Sequence, residues 1–100
     1  MIDDGNLERA KLNLETAIIP WRELLRHFAA GRVVQVASEL DLVEVATQFM
    51  RDNKSAVEHW LQQSLVNKVS DAQAEQWHNA DAQLWAVVVS PWVLVQMRVA

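Results

Sequence analysis

Glu75-Gln76-Trp77-His78 sets a carboxylate and an imidazole three residues apart, the spacing that brings both to one helical face in carboxylate-bridged dimetal sites. Such sites use two copies of the pair with further glutamates. This chain has one copy, with Asp81 as the one additional ligand type nearby, so a solvated polar face is expected and no metal is called for. Glu39, Asp41 and Glu44 fall within six positions and could do acid-base work if a pocket raised one of their pKa values. Acids at the start of a helix are equally accounted for by capping and by the helix dipole. His27, His59 and His78 are far apart, with no serine or cysteine nucleophile motif beside any of them. Gly5 and Gly31 stand alone, so there is no phosphate-cradling loop. Without cysteine there is no thiolate, disulfide framework or Cys-ligated zinc, and a reducing, cytoplasmic setting suits the chain. No catalytic residue and no cofactor is therefore expected, and the chain reads as non-enzymatic.

The elements that would carry these residues follow from hydrophobic spacing. Leu7, Ala10, Leu14, Ala17 and Ile18 fall on one helical face, and Trp21, Leu24, Leu25 and Phe28 repeat that spacing after Pro20, which predicts two N-terminal helices with Pro20 at the joint. Gly31 supplies a left-handed stop, and the β-branched run 33–36 predicts a strand. Asp41 and Glu44 open a helix with its stripe at Leu42, Val45, Ala46 and Phe49. A break at Arg51-Asp52-Asn53 offers a cap for a second helix bearing Val57, Trp60 and Leu61. Residues 65–69 read as a strand, Ser70-Asp71-Ala72-Gln73 as a capping box opening a short helix, and 84–89 as the central strand, apolar on both faces. Pro91 forces a bend, a bulge or a sheet edge before Trp92-Val93-Leu94-Val95. One hundred residues with 51% hydrophobic and 22% charged side chains make one α+β domain, 1–100, with 1–6 expected to be flexible. Its helices would pack on a small, mainly antiparallel sheet of about three strands. The core is expected to include Val33, Val36, Leu42, Phe49, Trp60, Leu61, Trp85 and Val88.

Strand, helix, tight turn, helix, strand, polar excursion, strand is the order of a winged helix-turn-helix, here with two extra helices in front. Nucleic-acid binding is therefore the alternative reading, with Arg22, Arg26 and Lys54 as candidate contacts. Charge argues against it. The chain carries nine Lys plus Arg against thirteen Asp plus Glu. The half that would read a duplex, residues 33–100, has four basic and eight acidic residues, whereas phosphate contacts need clustered cations. Ser64 also stands where a glycine often ends the second helix of such a motif.

Three segments carry a family resemblance: Leu12-Asn13-Leu14-Glu15-Thr16-Ala17 leading to Pro20-Trp21, then residues 40–46 (LDLVEVA), then 84–96 (LWAVVVSPWVLVQ). Across roughly residues 8–96 the chain resembles the bacterial family catalogued as domain of unknown function 2288. The resemblance implies a shared fold and a bacterial cytoplasmic setting, and it brings no catalytic or ligand-binding residues with it.

Five Trp with no Tyr is the main compositional oddity. Trp21, Trp60, Trp77 and Trp85 lie on apolar faces and are expected in the core, whereas Trp92 follows a strand-breaking proline. Trp92, Val93, Leu94 and Val95 are accordingly the candidate interface, covered by a second copy or by another bacterial protein. The acidic start predicts no export signal, and the longest apolar stretch, Leu84 to Val95, falls short of the roughly twenty residues that a membrane-crossing helix needs. A small, homodimeric protein-interaction domain is the expected function.

Overall fold

The computed structural model describes residues 4–98. The elements run α1 (Asp4–Glu15), β1 (Ala17–Pro20), a 3₁₀ turn (Trp21–Leu24), α2 (Leu25–Ala29), β2 (Val33–Val36), α3 (Leu42–Met50), α4 (Lys54–Gln62), β3 (Val66–Lys68), α5 (Asp71–Asn79), β4 (Gln83–Val89) and β5 (Trp92–Met97). Of the stretch 1–6, residues 1–3 lie outside the described residues and 4–6 form the first turn of α1.

The α+β class stands and most strand pairs are antiparallel, but the sheet is larger than the residue pattern implies. It has five strands in the order β1-β4-β5-β2-β3, and it is mixed, because β2 and β5 run parallel while the other pairs are antiparallel. Two strands go beyond the three expected. Ala17–Pro20 pairs with β4, Ala17 opposite Ala86 and Pro20 opposite Gln83. Ile18 and Ile19 are β-branched, and Pro20 is tolerated at the end of an edge strand. Residues past Pro91 form β5 as a strand of its own, because Ser90 and Pro91 make a tight turn, with a cis peptide between them, that folds β5 back on β4. Pro91 therefore sits where no ladder hydrogen bond is asked of it. The central strand is β5, not residues 84–89.

Alternation along the strands sends side chains to two separate cores. On one face Val34, Val36, Val66, Val87, Val89 and Leu94 meet Leu12 of α1 and Leu42, Val45 and Ala46 of α3. On the other, Val33, Leu84, Ala86, Val93 and Val95 meet Trp21, Leu24, Ala74 and Trp77. Helices thus cover both faces, unlike a three-stranded winged helix, although residues 33–97 keep its chain order with α5 as the excursion.

Local signals behave as their chemistry requires. Asp41 caps α3 by accepting from the Val43 and Glu44 amides, Asn53 caps α4 through the Ala56 amide, and Ser70 caps α5 through the Gln73 amide. Gln73 donates to Gln76 instead of returning to Ser70, so only half of the expected capping box forms. At the other ends, α2, α3, α4 and α5 close alike, with a left-handed residue two after the last helical one: Gly31, Asp52, Ser64 and Asp81. After each, the next amide reaches back to the helix, as Leu65 N–H does to the Trp60 carbonyl at 2.9 Å, which satisfies carbonyls that the helix leaves open.

Four core expectations need correction. Leu61, Trp85 and Val88 are exposed, and the Leu7, Ala10, Leu14 stripe of α1 faces outward, with Leu14 85% exposed, while Leu12 is buried. The helix packs on α3, where Glu8 pairs with Arg51 and Arg9 with Glu44, and it turns Leu12 into the first core. Val33, Val36 and Leu42 are buried, and Phe49 and Trp60 are half-buried against the first core.

Candidate functional site: a groove beside α4

The candidate interface does not survive as a unit. Val93, Leu94 and Val95 are 2%, 0% and 0% exposed because β5 is flanked by strands on both edges and by helices on both faces. Burying an aliphatic side chain of this size is worth about 1.5–3 kcal/mol, so presenting them to a partner would mean opening the fold. Trp92 is different. At the first position of β5 it is half-buried and forms part of a groove bounded by the end of α3, by α4 and by β3.

The groove encloses about 290 Å³, just below the roughly 300–1,000 Å³ of small-ligand pockets and enough for one or two inserted side chains. Val34, Val66 and Trp92 line it from the sheet, Phe49 from α3, and Val57 and Leu61 from α4, so its surface is mainly apolar. Lys54, Val57, Glu58 and Leu61 share one helical face at i, i+3, i+4 and i+7. Lys54, Lys68, Asp52 and Glu58 bring two charges of each sign to the site, and none of them forms an ion pair among the described residues. The Lys68 ammonium stands over the Trp92 ring, a cation–π contact.

Two sequence candidates, Trp92 and Lys54, thus share one site. Arg22 and Arg26 do not join them. They belong to the 3₁₀ turn and α2, which pack on the opposite face of the sheet from α4, and the Arg22 guanidinium donates to the Asp81 carboxylate at 2.9 Å. The three cations proposed to touch nucleic acid therefore form no common surface. Glu75 and His78 are exposed on α5, and among the described residues no three His, Cys, Asp or Glu side chains gather as a metal site. Asp41 is used as a cap and Glu44 in its ion pair with Arg9. Phe49, Val57, Asn67 and Lys68 were not singled out as site residues. The signal available was the apolar i, i+4 pair Val57 and Leu61, which together with Trp60 reads equally well as core.

A mixed five-stranded sheet carrying helices on both faces, with a groove beside α4, defines a small α+β domain. Over residues 8–97 the chain matches the model of a protein family of unknown function, DUF2288, and it belongs to that family. It is similar to the solution NMR structure of PA1075 from Pseudomonas aeruginosa, with 38% identity and a TM-score of 0.81 over 100% of this chain and 90% of that one. No curated protein matches it significantly. No helix among the described residues is long and apolar enough to cross a membrane.

Proposed function

We propose that the chain is a non-enzymatic interaction domain that receives an apolar segment of another protein in the groove between α4 and the sheet. The observation that supports this reading is the groove itself: Trp92, Phe49, Val57 and Leu61 make an apolar lining, with charges of both signs around it that form no ion pair among the described residues. A buried aromatic anchor ringed by polar groups is the arrangement that concentrates binding energy in protein contacts. Charged rims of both signs also favour a partner with its own alternating charges over a polyanion.

Affinity capture from native lysate, with and without nuclease, tests it when run beside a Leu61→Glu variant. Leu61 is 49% exposed, so a carboxylate there leaves the fold intact while charging the groove. A nuclease-resistant protein partner that the variant loses is the expected result. A nuclease-sensitive catch, or one indifferent to the substitution, overturns the reading.

A further inference from the structure

A second cavity lies on the sheet face of the first core, between the end of α1, the start of α3 and the strands β4 and β5. It encloses about 260 Å³ and shares no lining residue with the groove. Trp85, 39% exposed, lines it from the sheet beside its cross-strand neighbour Gln96, and Thr16 and Asp41 line it from the helical side. The hydrogen bonds these side chains already make leave them one capacity in common. Gln96 spends its side-chain N–H groups on the Ala37 and Leu40 carbonyls, so its Oε1 is left to accept. Thr16 gives its hydroxyl proton to the Leu12 carbonyl at 2.7 Å, and its oxygen too can only accept. Asp41 uses Oδ1 for the Val43 and Glu44 amides, while Oδ2 has no partner among the described residues. Asn13, on the rim, can turn its amide either way. Acceptor oxygens, one of them charged, beside an exposed indole call for hydrogen-bond donors carried on a cation. Arg9, the cation nearby, is held by Glu44, and Asp41 is in no ion pair among the described residues.

We infer that this cavity takes a guanidinium group on an alkyl stem, resting on the Trp85 indole and donating to Asp41 Oδ2, Gln96 Oε1 and Thr16 Oγ1. A guanidinium carries five donors around a flat plane that is always charged, so it serves acceptors on several sides while its face lies on an aromatic ring. An ammonium has three donors and no face. The volume is below the roughly 300–1,000 Å³ of small-ligand pockets, which suits a group the size of one side chain. The positive end of the α3 dipole opposes a cation here, but the Val43 and Glu44 amides that contribute to it are already bonded to Asp41. Glu39, exposed two residues before Asp41, adds a second negative charge. An arginine of another protein and a free guanidino compound present the same chemistry to such a site.

The site is separate from the groove, so either reading can fail alone. Titration of the isotope-labelled full chain with ethylguanidinium chloride, followed by NMR at the Trp85 indole N–H and the Gln96 side-chain amide, should saturate with a Kd on the order of a millimolar. Ethylammonium lacks the plane and urea lacks the charge, and each should bind about tenfold more weakly. Asp41→Asn removes the charge and keeps the α3 cap, because asparagine caps as well as aspartate, and it should weaken binding about tenfold. Glu75→Gln removes an acid from α5, on the other sheet face, and should leave the affinity unchanged. Shifts that do not saturate by tens of millimolar, urea bound as tightly as ethylguanidinium, or an Asp41→Asn variant with wild-type affinity overturns the proposal. If Asp41→Asn does not fold, Trp85→Leu, at an exposed position, decides by the same comparison. Agmatine and a blocked tripeptide of arginine between two glycines separate the sources. A tripeptide bound at least as tightly as ethylguanidinium assigns the group to an arginine of a partner protein, and agmatine bound while the tripeptide is excluded assigns it to a free guanidino compound.

Discussion

The Lys68 ammonium lies 5.8 Å from the centre of the Trp92 ring, joining the edge strand β3 to the first residue of the central strand β5 across the groove. The two side chains should differ in what they contribute. Trp92 is half-buried against the first core, so Trp92→Ala should cost about 1–3 kcal/mol, below the roughly 3–5 kcal/mol of a fully buried tryptophan. Lys68 is exposed, and Lys68→Ala should cost no more than about 0.5–1 kcal/mol. Urea denaturation of both variants measures the difference. Equal losses would mean that Lys68 does more than rest on the ring.

Trp21 and Trp77 meet edge to face at 5.0 Å in the second core, with Phe28 edge-on to Trp21 at 5.4 Å. Both indole N–H groups are buried, and no acceptor among the described residues reaches either. An unpaired buried donor costs roughly 1–3 kcal/mol, so removing it offsets part of the contact area lost when indole becomes phenyl. Trp77→Phe should therefore lie within about 1–2 kcal/mol of the wild type, while Trp77→Ala should lose about 3–5 kcal/mol. Thermal unfolding of the three proteins gives the order, and a Phe variant as unstable as the Ala variant would contradict it.

How far the residues disclose this fold depends on the range of the interaction involved. Caps were legible because the side chain and the amides it satisfies are within three residues, as with Asp41, Asn53 and Ser70. The runs 33–36 and 84–89 were legible from β-branching alone. Ala17–Pro20 was not, because its strand character comes from pairing with β4, more than sixty positions away, while its local spacing continues the helical stripe. The outward turn of Leu7 and Leu14 was hidden for a related reason, since α1 packs on α3 and β4, which lie far along the chain. Trp92 was set apart from the other tryptophans by the proline before it, yet Trp60 is half-buried against the same core and Trp85 is exposed, and the three residues after Trp92 were grouped with it on hydropathy. Only the tertiary placement of β5 shows that they point into two cores.

Ser64 holds φ at +58°, in the left-handed region, at the position that ends α4. A side chain there costs roughly 1–2 kcal/mol that glycine avoids, although glycine gives back part of this through its freer unfolded chain. Ser64→Gly should raise stability by up to about 1 kcal/mol, with Leu65 N–H still bonded to the Trp60 carbonyl. The Ser64 carbonyl also accepts from the Asn67 side chain, a bond that needs no serine side chain and so should persist. A higher unfolding midpoint is the expected reading, and a lower one would mean that the serine hydroxyl is used.

Gln96 holds the connection between β2 and α3 to the central strand: its side-chain amide donates to the Ala37 carbonyl at 2.8 Å and to the Leu40 carbonyl at 2.7 Å. Removing the donor in Gln96→Leu leaves two partly buried carbonyls to find other partners, an expected loss of about 1–3 kcal/mol. Gln96→Glu should be worse at neutral pH, because an ionised carboxylate accepts only and would face two acceptors. That environment raises the introduced carboxyl's folded-state pKa above its unfolded value of about 4.3, so the destabilisation is fully present above the folded pKa. As pH falls through that folded pKa the group takes up a proton, becomes a donor to one of the carbonyls, and the stability gap to Gln96→Leu should narrow. Urea midpoints of the two variants measured from neutral pH down to about pH 4 test the sign. A gap that stays constant, or that widens on acidification, would show that the side chain at position 96 turns away from Ala37 and Leu40 once it carries charge.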